Sequence, residues 1–152
     1  MKIIFASVLL FLALQASALG SVETDIPQAN RVILTTGAWT PSVEQAQKAL
    51  IAIQSFLERP TSGGNQRSKY EIKMIIENAG SYRVQFVGQV RQKRRVILCN
   101  FFRAPLTGEK DEYADWKHKP VSQCCDGGHS FWKIDYDPGT GKCLNFLPNA
   151  YA

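Results

Sequence analysis

Few residues in this chain have the type and spacing to do chemistry: four cysteines, two histidines and one basic run. Cys99, Cys124, Cys125 and Cys143 contain no Cys-x-x-Cys unit, so neither a zinc ribbon nor a thioredoxin-type redox centre is expected. An even number of cysteines in an oxidising compartment pairs into disulfides. A bridge between Cys124 and Cys125 would be a strained vicinal one. The expected pairing therefore joins Cys99 to one of those two and Cys143 to the other. His118 and His129 have Asp115 and Asp126 nearby in sequence, but a metal needs three or four converging ligands and no His-x-x-x-His spacing occurs. They read as surface or turn histidines, with no metal and no cofactor. A Cys–His nucleophile would need a free thiol, which oxidation removes. Asp126, Asp135 and His129 remain as acid–base candidates without a visible partner, so the chain reads as non-enzymatic.

The assignment of an oxidising compartment rests on the N-terminus. Met1-Lys2 starts positively, Ile3 to Leu14 is apolar and too short to span a bilayer, and Ala16-Ser17-Ala18 offers small residues for cleavage. Residues 1–20 are expected to be a signal peptide, and the mature protein to be secreted, extracellular and without a membrane span. Hydrophobic residues at 45% and charged residues at 20% describe a folded rather than a disordered chain. Its length suits one domain. The formal charge is +5, of which the leader removes only Lys2. That balance draws acidic partners without naming one.

The basic run is Arg91-Gln92-Lys93-Arg94-Arg95. Its plain reading is a solvated hairpin tip whose charges discourage edge-to-edge pairing. Its functional reading is a site for a polyanion such as a sulfated glycan. The same residues match the Arg-x-Lys-Arg pattern cut by secretory convertases, although a cut there would separate two strands expected to pair. Trp39 and Trp116 fall in expected loops and would form a binding rim if exposed.

These residues need elements to hold them. Ser21–Asn30 reads as a flexible lead-in, and Arg31–Thr36 as a short strand ended by Gly37. Ser42 and Gln45 form a capping box ahead of Val43, Ala46, Leu50, Ile53 and Leu57, which recur at helical steps. Arg59-Pro60 stops that helix. Lys69–Ala79 fits a strand or a helix, and Asn78-Ala79-Gly80 favours the helix. From Ser81 the pattern is β: a strand through Tyr82, Val84 and Phe86, with Gly88 as a bulge; a turn at Arg91–Arg94; and a strand at Arg95–Arg103. A charged loop at Ala104–Lys119 follows, then strands at Val121–Cys125, Phe131–Tyr136 and Lys142–Leu147. Residues 31–152 are thus one α+β domain, a long helix covering one face of an antiparallel meander.

A helix ahead of a curled antiparallel sheet of four to five strands resembles the cystatin-like fold, with Gly37 placed like the glycine that precedes the cystatin helix. Tyr82–Gly88, Arg95–Phe102, and Asp126-Gly127-Gly128 leading to Phe131-Trp132 and Tyr136-Asp137-Pro138 resemble a group of small, poorly characterised secreted proteins of that fold. The resemblance bears on fold rather than activity. Read with the leader and the charge pattern, it leads to the expectation of a secreted, non-catalytic binding or matrix-associated protein, with Gly37, Trp39, Arg91, Lys93, Arg94, Arg95 and Trp116, taken from the loops and the basic run, as binding residues. The partner it suggests is an acidic glycan or the extracellular matrix, whereas nucleic acid is not expected. It also implies an alternative, inhibition of papain-like cysteine proteases, for which Gly37, Gln85-Phe86-Val87-Gly88 and Phe131-Trp132 would have to form the inhibitory wedge.

Overall fold

The computed structural model describes residues 20–59, 66–122 and 128–149. They form an α+β unit in which one five-stranded sheet carries two helices. In chain order the elements are β1 (Arg31–Leu34), α1 (Val43–Glu58), α2 (Gln66–Glu77), β2 (Tyr82–Arg91), β3 (Arg94–Arg103), β4 (Phe131–Asp137) and β5 (Lys142–Pro148). The strands lie side by side in sequence order, and β2 to β5 are the expected antiparallel meander. The first strand corrects the expectation. β1 runs parallel to β2, with Ile33 opposite Phe86, so the sheet is mixed. Parallel neighbours need a long crossover, and the chain between Leu34 and Tyr82 supplies one through both helices.

Local chemistry explains α1. The Ser42 hydroxyl accepts from the Gln45 backbone N–H at 3.1 Å, and the Gln45 side chain accepts from the Ser42 N–H at 2.9 Å. Ala46, Ala49, Leu50, Ile53 and Leu57 are buried by the packing of this helix on the sheet. Val43, expected in the same stripe, is 78% exposed, because the first turn overhangs the sheet edge at β1. The stretch that fitted two patterns is helical, with Ile75 fully buried. Beneath the helices the sheet presents Val84, Phe86, Ile97, Cys99, Phe101, Trp132, Ile134 and Tyr136, and the rings of Phe101 and Trp132 stack at 3.7 Å.

Ser21–Asn30, expected to be a flexible lead-in, is anchored instead. Val22 and Ile26 are fully buried in the main core, and the Val22 N–H donates to Gln54 Oε1 at 2.8 Å. Two apolar residues four apart outweigh the polar residues around them. Val121 and Ser122 are not in a strand, and the rest of the strand expected at Val121–Cys125 lies outside the described residues, as do residues 1–19 of the expected leader and Cys124 and Cys125. Among the described cysteines there is no disulfide: Cys99 is fully buried and Cys143 half-buried on β5, with β4 between them.

Candidate functional site

The basic run sits where two strands turn. Arg91 closes β2, Arg94 opens β3, and the two are paired across the hairpin. Gln92 and Lys93 between them have φ of 49° and 65°. Two consecutive left-handed residues make the tight two-residue turn whose twist matches that of the strands. Neither is glycine, so the turn carries strain for the sake of its side chains, about 1 kcal/mol for each such residue. Arg91 through Arg95 are all exposed.

The four cations are not equivalent. Arg91 folds back over the sheet, and its Nε lies 2.8 Å from Asp135 Oδ2 on β4. The same oxygen accepts from Asn145 Nδ2 at 2.9 Å. Asp135 is only 2% exposed, so Arg91 is the counter-ion of a buried carboxylate and is poorly placed to serve a ligand. Asn145 reaches this acid because β5 bulges there: Lys133 pairs with Leu147 but Asp135 with Leu144, and Asn145 takes φ 53°. Lys93, Arg94 and Arg95 form no ion pair among the described residues. Arg95 lies over the Trp39 ring, 5.6 Å from its centroid, while the Trp39 indole N–H donates to the Gln89 carbonyl at 3.0 Å.

Gly37 belongs to this end of the molecule for a steric reason. A Cβ at Gly37 would fall 2.3 Å from the Gly88 carbonyl oxygen, and one at Gly88 would fall 2.0 Å from the Trp39 carbonyl oxygen. The Ala38 N–H donates to the Gly88 oxygen at 2.8 Å. Gly88 is therefore a point of close backbone approach, in register with Ile97, and not the bulge expected of it.

Trp116 does not join the group. It is 4% exposed and packs with Phe102 and Phe131 on the face away from the helices, with the Arg83 guanidinium 5.0 Å over its ring. The correction has a polar cause. The Gln85 amide donates to the carbonyls of Trp116 and Lys119, and accepts from the Val121 N–H and Asn100 Nδ2. All four of its hydrogen-bonding positions are used, and they pin the charged loop to the sheet.

The residues matched to the protease-inhibiting wedge lie apart. Gln85 and Trp132 are fully buried, and Phe131-Trp132 is at the end of the sheet opposite the basic turn. Elsewhere, His118 pairs with Asp115 in an exposed helical turn, and among the described residues no group of three or more His, Cys, Asp or Glu could hold a metal. No described helix is long and apolar enough to cross a membrane. Sequence reasoning missed Asp135 and Asn145 as partners of the hairpin. The strand alternation that places Lys133, Asp135 and Asp137 on one face was the available signal.

No family model matches the chain, and no curated protein or solved structure is significantly similar to it.

Proposed function

We propose that this chain is a secreted, non-catalytic binding domain of cystatin-like fold that engages acidic extracellular polymers, sulfated glycans foremost, through its β2–β3 hairpin. The observation that carries the reading is the exposure of Lys93, Arg94 and Arg95 on a tight turn, with no carboxylate among the described residues paired to them. A rigid turn lowers the entropy lost on binding, and unpaired cations release counter-ions from a polyanion. Trp39, beneath Arg95, helps to hold that guanidinium at the surface. Secretion rests on the leader pattern of residues 1–20. The cystatin-like reading rests on α1 packed against four antiparallel strands, although parallel β1 and the second helix depart from that pattern. Protease inhibition has less support, because Gln85 and Trp132 are turned into the protein.

The test is elution from immobilised heparin over a range of salt. The combined variant Lys93→Gln, Arg94→Gln and Arg95→Gln should elute much earlier, with the slope of log affinity against log salt reduced by roughly 2–3. Elution at the parent position would sink the proposal. Parallel assays against papain should show no inhibition, and dose-dependent inhibition by the parent chain would restore the protease reading.

A further inference from the structure

A second site lies along the β1 edge of the sheet, away from the hairpin tip. Between β1 and the first two turns of α1 is a cleft of about 300 Å³, lined by Val32, Ile33 and the exposed Val43, with the buried Ala46, Leu50 and Phe86 at its base. That volume is at the small end of small-molecule pockets. Its polar end is Arg31, flanked by the amides of Gln28 and Gln47.

Arg31 is half-buried, and among the described residues no carboxylate forms an ion pair with it. Its guanidinium is held by oxygens that bear no full charge. Nε donates to the Ile26 carbonyl at 3.1 Å, and Nη2 donates to the carbonyls of Glu23 and Ile26 at 2.6 and 2.7 Å. Nη1 makes only a long bond, 3.3 Å, to Gln47 Oε1. One Nη1 hydrogen is thus uncommitted, and the other is weakly held. Burial disfavours the charged guanidinium, with the nearby Glu23 charge opposing it only in part. A partly desolvated cation with spare donors at the end of an apolar cleft fits a ligand with an anionic head and a short hydrocarbon body.

We infer that this cleft binds small amphipathic carboxylates, with the hydrocarbon along Val32, Ile33 and Val43 and the carboxylate on Arg31 Nη1 near Gln28 and Gln47. A ligand carboxylate would replace the long Gln47 contact with a charge-assisted one, and the apolar body would cover Val43.

The probes are octanoate and 1-octanol, titrated into the purified chain while backbone amide shifts are followed by NMR. Octanoate should move the amides of Val32, Ile33, Ala46 and Gln47 saturably and bind about tenfold or more tighter than octanol. Ala46→Leu, which fills the cleft without touching the charge, should abolish both. Arg31→Gln should bring octanoate down to the level of octanol. Because Arg31 also secures Glu23 and Ile26, its variant is read only if its melting temperature shows a folded chain; otherwise Ala46→Leu and the octanol comparison decide. Equal binding of the two probes, shifts confined to other amides, or undiminished binding by Ala46→Leu would each overturn the assignment. Heparin elution is unaffected by any of these outcomes.

Discussion

The two faces of the sheet are stabilised by different physics. The face under the helices is a continuous apolar layer from Ala46 and Ile53 through Phe86 and Phe101 to Trp132 and Ile134, where non-directional burial dominates and ring stacking adds to it. The other face carries only a small aromatic cluster around Phe102, Trp116 and Phe131. Beyond that cluster its order comes from directed polar contacts: Gln85 and Asn100 hold the loop, and Arg91 and Asn145 hold Asp135. A hydrophobic layer loses stability in proportion to what is removed, whereas a polar clamp fails when one partner leaves and orphans the others. The helix face should therefore set global stability, and the other face the order of the loop and hairpin.

Breaking the helix face should cost most. Phe101→Ala removes the ring stacked on Trp132 and should lower stability by about 3–5 kcal/mol in urea denaturation, with all regions unfolding together. Gln85→Ala should cost less, about 2–3 kcal/mol, because it strips partners from Trp116, Lys119, Val121 and Asn100. Its signature is faster hydrogen exchange at the Val121 amide before global unfolding; uniform exchange would mean that the clamp is not separate from the core. Arg91→Ala leaves the Asp135 carboxylate without its cation. Since Arg91 is itself 45% exposed, the loss should be near 1–2 kcal/mol by thermal denaturation. Asp135→Asn should release Arg91 and delay elution from heparin, and an unchanged elution would show that Arg91 was already available.

The smallest effect sharpens the question of the cysteines. Burial pushes the Cys143 thiol up to about 11 and raises Cys99 well above its ordinary range. An unfolded thiol ionises near ~8.5, so below that pH the stabilisation from keeping these thiols neutral is complete. It should fade as pH rises from there through the folded value of Cys143, and more weakly in Cys143→Ala. Because the raised Tyr136, Lys48 and Lys119 also titrate there, the comparison decides: the same profile in the parent and in Cys143→Ala would show that Cys143 carries no free thiol, as a secreted chain would have it.

The helix face was readable from sequence because its signals are local and periodic. The capping box, the stripe of α1 and the alternation of β2, β3 and β4 each fix an element within a few residues. The parallel direction of β1 was not, since nothing in Arg31–Leu34 encodes which way a strand separated by two helices will join. The polar face was least legible. Trp116 looked like a loop tryptophan because the residue that buries it, Gln85, lies thirty-one positions away and was read only as part of a motif. In the hairpin, Lys93, Arg94 and Arg95 were found by charge alone, whereas the diversion of Arg91 depends on Asp135, two strands away on β4. The Arg31 cleft was missed because a lone arginine opening a strand carries no motif.

The tight turn at Gln92-Lys93 has one more consequence. Processing proteases bind several residues of substrate in an extended, unpaired form, and Arg91 through Arg95 has no such freedom while both flanking strands are hydrogen-bonded to the tip. The Arg-x-Lys-Arg sequence is thus latent in the folded protein and becomes a substrate only when the hairpin opens. Under the proposed secreted reading, a convertase would meet an extended site only in molecules whose β2–β3 pairing had not closed.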